Sequence, residues 1–168
     1  DPAIFSLVAG ASGRVACVRG DPRRMLEEER RLDRPKYDVL CLDISSGGSL
    51  PYHEMTEEAF RLYFNRLEPD GILAINLTSW LVDWGPLIKS VAGRFEAGAA
   101  ILTQEEDPAR LRGAATWAIL TRQPPADFQF PPDAAMRDPR TLRNVTLPTD
   151  ETGSLVGLLR WGGGATGR

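Results

Sequence analysis

Apolar runs alternate with amphipathic stretches along most of the chain. Short apolar or β-rich runs, each suited to a buried strand, occupy residues 14–19, 37–44, 72–77, 99–103 and 114–121. Between them, apolar residues recur at helical spacing over residues 23–32, 56–67 and 85–95. Strand and helix in alternation predict an α/β domain built on a parallel sheet. The short connection from the fourth to the fifth run predicts a hairpin, so we expect the last strand to be antiparallel.

Local signals mark the helix starts. Asp21 can cap the first helix with Pro22 at its first position, and Thr56 can cap the second. After residue 123 the pattern weakens, and proline pairs predict an irregular segment. Residues 154–161 predict a short final helix, and residues 162–168 a flexible tail. We therefore expect a single domain over residues 1–161.

Composition and charge narrow the function classes. The chain has 168 residues, 42% of them hydrophobic, and a formal net charge of −3, which gives no bulk attraction to nucleic acid. No apolar run approaches the ~20 residues that span a bilayer, and no leader is visible, so we expect a cytoplasmic protein. Because the chain begins Asp1-Pro2 without a methionine, we expect it to be part of a longer protein that carries an upstream domain.

Cysteine and histidine are too few for the common metal sites. Cys17 and Cys41 each lie inside an apolar run, which predicts buried thiols rather than a disulfide framework. His53 is the single histidine, so a zinc site of the usual Cys/His type is not expected, and no metal site is predicted.

The predicted strand ends carry a coherent set of polar residues. In open α/β sheets, ligands bind beyond the carboxyl ends of the strands. Asp43 ends the most apolar run, where a carboxylate costs desolvation unless it is paired or binds something. The alternative is that Asp43 only caps the loop that follows it. Asp21 has the same alternative as a helix cap, Asn76 could simply form a loop, and His53 could orient a substrate or be an ordinary surface histidine.

Several segments resemble the spermidine synthase-like family, which has the S-adenosylmethionine-dependent methyltransferase fold. Residues 37–46 (YDVLCLDISS) resemble the segment of that family that contains its catalytic carboxylate, at the position of Asp43. Gly20-Asp21, residues 49–60 (SLPYHEMTEEAF), residues 67–76 (LEPDGILAIN) and residues 148–151 (PTDE) resemble further segments in the same order. Residues 49–60 are closest to the divergent, sometimes membrane-fused, branch. The resemblance implies a Rossmann-like, mostly parallel sheet of which this chain is the C-terminal part.

The resemblance also implies roles for individual residues. Asp43 would be the catalytic carboxylate that accepts a proton from an attacking amine. The cofactor, S-adenosylmethionine or its decarboxylated form, would contact Asp21, Pro22, Asp43 and Ile44. The acceptor, a small-molecule amine, would contact Ser46, Tyr52, His53 and Asn76.

Two departures from the family pattern leave two hypotheses open. Aminopropyltransferases have a second aspartate where this chain has Ser46, and the glycine-rich strand-turn-helix that cradles the cofactor is absent from this sequence. One hypothesis is an aminopropyl or methyl transferase domain. The other is a non-catalytic nucleotide-binding or regulatory module that keeps the fold. Because the first strands of the fold are missing from the sequence, we also expect an exposed sheet edge and a homo-oligomer.

Overall fold

A computed structural model describes residues 13, 15–44, 50–110, 113–124 and 135–160. In this part of the chain, three α-helices alternate with the first three strands, and two more strands follow. The helices are α1 (Pro22–Arg31), α2 (Glu57–Arg66) and α3 (Gly85–Phe95). The strands are β1 (Tyr37–Leu42), β2 (Leu67–Asn76), β3 (Gly98–Gln104), β4 (Ala115–Thr121) and β5 (Ala135–Arg137). Short 3₁₀ helices occupy Tyr52–Met55, Pro108–Arg110, Pro139–Thr141 and Val156–Leu158.

The described strands form one mixed sheet in the order β1-β2-β4-β3-β5. β1 pairs with β2 in parallel, whereas β4 is antiparallel to both β2 and β3. β1, β2 and β3 therefore run in the same direction, and β4 lies between β2 and β3. This confirms the α/β fold class and the antiparallel strand at the end of the predicted series. The β3–β4 hairpin forms because the ten residues 105–114 are too few for a helical crossover.

The helices begin where the sequence predicts. Asp21 Oδ1 accepts a hydrogen bond from the Arg24 amide at 2.9 Å and caps α1, with Pro22 as the first helical residue. Thr56 Oγ1 accepts one from the Ala59 amide at 3.4 Å and caps α2. These caps fix the positions from which the polar side chains described below project.

The core lies between the sheet and the two helices α2 and α3. α2 buries Phe60, Tyr63 and Phe64, and α3 buries a stripe that includes Leu87, Ile88 and Val91, as its helical spacing predicts. The central strands contribute Leu73, Ile75, Ala118 and Leu120. Trp84, which precedes α3, is also buried, whereas Trp80 is 71% exposed.

Buried Arg66 joins the end of α2 to the segment that leads into β1. Its two terminal nitrogens donate to the backbone oxygens of Arg34 and Pro35 at 2.9 and 2.6 Å, and its guanidinium lies over the Tyr37 ring. These contacts pair the two terminal nitrogens of Arg66 with backbone acceptors, while its Nε is buried without a hydrogen-bond partner. They help to place β1 beside β2.

The prediction that β1 is buried on both faces and that both cysteines are buried is wrong. The apolar run of β1 suggested burial on both faces, but Val39 is 56% exposed and Cys41 is also exposed. Among the described strands β1 pairs only with β2, so it lies at the sheet edge. Cys17 is exposed as well, because residues 15–19 are not a strand and do not pair with the sheet.

Two further boundaries differ from the predictions. The sequence Pro69-Asp70-Gly71 predicts a turn that ends α2, but these residues form an irregularity inside β2, where pairing shifts from Tyr37–Leu67 to Val39–Ile72. A Cβ on Gly71 would lie 3.0 Å from the Tyr37 carbonyl oxygen, so glycine permits this close approach. The final helix is only the 3₁₀ turn Val156–Leu158, since its central residue is Gly157, a poor helix former. Trp161 and residues 162–168 lie outside the described residues, as does the predicted Gly47-Gly48 loop.

Candidate functional site

Asp43 and Asn76 meet at the carboxyl edge of the parallel pair β1–β2. The register pairs Leu42 with Ile75, so the next residues along the two strands lie side by side. Asn76 Nδ2 donates a hydrogen bond to Asp43 Oδ1 at 2.8 Å, and Asn76 Oδ1 accepts one from the Thr78 amide at 3.0 Å. Asp43 is exposed, so its carboxylate is held in place by an amide and remains accessible to solvent. The desolvation cost expected for this residue does not arise.

Asp21, His53 and Glu54 form a second polar group. His53 Nε2 lies 3.7 Å from Asp21 Oδ2 and 3.3 Å from Glu54 Oε1. The two carboxylate oxygens of Asp21 have different partners: Oδ1 caps α1, and Oδ2 faces the imidazole. Asp21 and His53 are half exposed, whereas Glu54 is 1% exposed. A buried carboxylate therefore supports an accessible histidine.

Tyr63 binds the buried carboxylate of Glu54. Its hydroxyl donates to Glu54 Oε2 in a short hydrogen bond and lies 3.2 Å from the Glu54 backbone oxygen. Burial raises the pKa of Tyr63 far above its usual value, and the hydrogen bond to Glu54 adds to the rise. The hydroxyl therefore keeps its proton and acts as a fixed donor.

Arg23 and Asp150 tie a distant segment of the chain to this group. Arg23 Nη1 donates to Asp150 Oδ1 at 2.8 Å and to the His53 backbone oxygen at 2.7 Å. Its second terminal nitrogen binds Asp150 Oδ2, and Thr56 Oγ1 donates to Asp150 Oδ1 at 2.7 Å. The hydrogen bond from Arg23 lowers the pKa of Asp150, and the one from Thr56 acts in the same direction. The backbone around His53 is therefore anchored.

The remaining predicted site residues lie in different places. Pro22 is the first residue of α1, and Ile44 is half-buried against the core just after Asp43. Tyr52 donates to the Thr149 backbone oxygen at 3.3 Å, which places its hydroxyl at the 148–153 turn rather than at Asp43. Ser46 lies outside the described residues. No hydrogen bond or ion pair joins the Asp43–Asn76 pair to the Asp21–His53 pair among the described residues.

Sequence reasoning passed over several polar residues of the site: Arg23, Glu54, Tyr63 and Asp150. Glu54 adjoins His53 in the segment quoted for the resemblance, and its position next to the only histidine was an available signal. The Arg23–Asp150 pair gave no such signal, because its partners are 127 residues apart in the sequence.

None of the α-helices in the described part is long and apolar enough to cross a membrane.

Comparisons with known proteins give structural likenesses only. No protein-family model and no curated protein matches the sequence. The MNMC2 protein of Aquifex aeolicus is 13% identical over 76% of this chain and 39% of its own, with a TM-score of 0.44. A probable spermidine synthase from Corynebacterium glutamicum is 22% identical over 71% of this chain and 44% of its own, also at 0.44.

A third solved structure is human methyltransferase-like protein 13 in complex with SAH. It is 17% identical over 79% of this chain and 62% of its own, with a TM-score of 0.45. The chain thus spans between 39% and 62% of the length of these three proteins. At these values the likenesses do not bear on function, which is argued below from the side chains.

Proposed function

We propose that this chain is a spermidine synthase-like transferase domain. It transfers an aminopropyl or methyl group from decarboxylated S-adenosylmethionine or S-adenosylmethionine to an amine acceptor. The observation that carries the proposal is the Asp43–Asn76 pair, an accessible carboxylate fixed by a 2.8 Å hydrogen bond at the carboxyl edge of β1 and β2. Sheet edges of this kind are where ligands bind in α/β folds.

Asp43 would act on the acceptor amine. A carboxylate attracts an ammonium group and then accepts the proton that the amine must lose before it can attack. Asn76 holds one carboxylate oxygen, so the side chain keeps one orientation while it positions the amine. The neutral amine would attack the donor carbon beside the sulfonium, so that the new N–C bond replaces the C–S bond and the rest of the donor leaves as a neutral thioether.

Residues near the strand ends supply some of the contacts that such a donor needs. Asp21 and Pro22, at the start of α1, stay proposed cofactor contacts from the sequence resemblance, and Asp21 Oδ2 faces His53 Nε2. Half-buried Ile44 offers an apolar contact directly after Asp43. Ser46 and His53 stay proposed acceptor contacts from the sequence, whereas the Tyr52 hydroxyl binds the Thr149 backbone oxygen. The uncharged Ser46 disfavours a long polycation.

Calorimetric titration with both donors tests the proposal. We expect saturable binding of S-adenosylmethionine or its decarboxylated form, followed by transfer of the labelled group to a small amine. Absence of binding of both donors at millimolar concentration to the intact protein would contradict it. Binding without transfer to any amine of a broad panel would favour the alternative, a non-catalytic nucleotide-binding or regulatory module.

A further inference from the structure

The group formed by Asp21, His53 and Glu54 presents three metal-binding atoms to one point. Asp21 Oδ2, His53 Nε2 and Glu54 Oε1 all lie within 4.8 Å of one another. The histidine nitrogen is 3.7 Å from the first oxygen and 3.3 Å from the second. Ligand atoms that share one tetrahedral ion at ~2.1 Å lie about 3.4 Å apart. The spacing therefore fits a single small cation.

Each carboxylate has one oxygen that the protein already holds and one that faces the imidazole. Asp21 Oδ1 accepts from the Arg24 amide, and Glu54 Oε2 accepts from the Tyr63 hydroxyl. The Arg23 guanidinium fixes the backbone at the third ligand through the His53 carbonyl oxygen. Metal sites commonly hold their ligands through partners of this kind.

The group lacks sufficient positive charge among the described residues. An imidazole Nε2 carries at most one proton, so it cannot donate a full hydrogen bond to both carboxylates at once. Glu54 is 1% exposed, and a buried carboxylate needs compensation. The Arg23 guanidinium binds Asp150 and the His53 backbone instead of either carboxylate in the group. A divalent cation between the three atoms would neutralise both carboxylates.

We propose that Asp21, His53 and Glu54 bind a divalent transition-metal ion. One imidazole nitrogen and two carboxylate oxygens suit zinc and its first-row neighbours better than Ca²⁺ or Mg²⁺, which prefer oxygen alone. Half-exposed His53 and Asp21 leave the outer side of the ion open to water. The sequence predicts no metal site, because it has a single histidine. In the structure, two carboxylates, Asp21 and buried Glu54, lie beside that histidine.

Zinc titration of the full chain tests this proposal without donor or acceptor present. The protein is treated with chelator and dialysed, and Zn²⁺ binding is followed by calorimetry. The exposed thiols of Cys17 and Cys41 are themselves zinc ligands, so the titration is repeated in a Cys17→Ser/Cys41→Ser background. We expect one equivalent to bind in both backgrounds. Failure of the cysteine-free protein to bind zinc saturably would overturn the proposal.

Three variants then assign the ligands. His53→Ala, Asp21→Asn and Glu54→Gln should each weaken zinc binding at least about tenfold. Asparagine keeps the helix cap and glutamine keeps an acceptor for Tyr63, so circular dichroism should remain that of the parent. Asp138→Asn is the matched control, because Asp138 also caps a helix through an exposed carboxylate and lies elsewhere. Unchanged affinity in His53→Ala and Asp21→Asn would overturn the assignment even if Glu54→Gln failed to fold.

Discussion

At the scale of single residues, short-range hydrogen bonds cap the helices, and long-range hydrogen bonds assemble the polar groups. The caps at Asp21 and Thr56 depend on an amide three residues ahead, so the sequence predicts them correctly. The hydrogen bond between Asp43 and Asn76 joins residues 33 apart and requires the β1–β2 register. Burial of Glu54 could not be foreseen, since its partner Tyr63 lies on the next helix.

Asp150 should make stability depend on pH at the acid end. Its folded pKa is lowered, chiefly by the hydrogen bond from Arg23, so its contribution is present above the unfolded value of about 3.9. That contribution is lost as pH falls through the lower folded value. Asp150→Asn should therefore lower the free energy of unfolding at pH 7 by about 1 kcal/mol, because the site is exposed. It should also flatten the pH dependence below about pH 4.

Urea unfolding between pH 2.5 and 7 measures both effects. Glu151→Gln, at the neighbouring exposed acid, is the control and should retain the parental pH profile. A parental profile in Asp150→Asn would show that the ion pair with Arg23 contributes nothing.

At the scale of elements, periodicity predicts where the helices lie. It does not predict whether a strand lies in the centre or at the edge of the sheet. α3 spans the predicted residues because its apolar stripe and its length agree. β1 has the apolar run of a buried strand yet lies at the sheet edge, and a sequence run carries no information about neighbours. β5 is three residues long and follows a proline-rich segment, so no periodic signal could reveal it.

Thr56 should contribute to the stability of α2 through its hydroxyl. The side chain is fully buried, caps the helix and donates to Asp150. Thr56→Ala should cost about 1–2 kcal/mol of unfolding free energy, measured by urea denaturation. Thr56→Ser keeps the hydroxyl and should cost clearly less. Equal losses in the two variants would assign the effect to the methyl group instead.

At the scale of the whole molecule, the open edge of β1 is the main feature. Among the described strands only β2 pairs with it, and Val39 and Cys41 are exposed there. An unpaired edge with apolar side chains is a template for pairing with another chain. We therefore propose that the protein self-associates through β1, as the sequence predicts.

Light scattering coupled to size exclusion tests this proposal. We expect a dimer or larger species, and Val39→Lys should shift it towards the monomer because charge on an edge strand opposes pairing. Thr103→Lys, an exposed position within the paired strand β3, is the control and should leave the mass unchanged. A monomer at all concentrations would contradict the proposal.

The central claim is that Asp43 accepts a proton from the amine, and one substitution tests it most directly. Asp43→Asn keeps the shape of the side chain and removes the base, while Asp38→Asn changes an exposed acid within β1, the strand that Asp43 follows. Transfer of labelled group from either donor to an amine is measured with both variants. The account predicts at least about a hundredfold slower transfer by Asp43→Asn, with parental thermal unfolding and a fully active Asp38→Asn. Full activity in folded Asp43→Asn would contradict it.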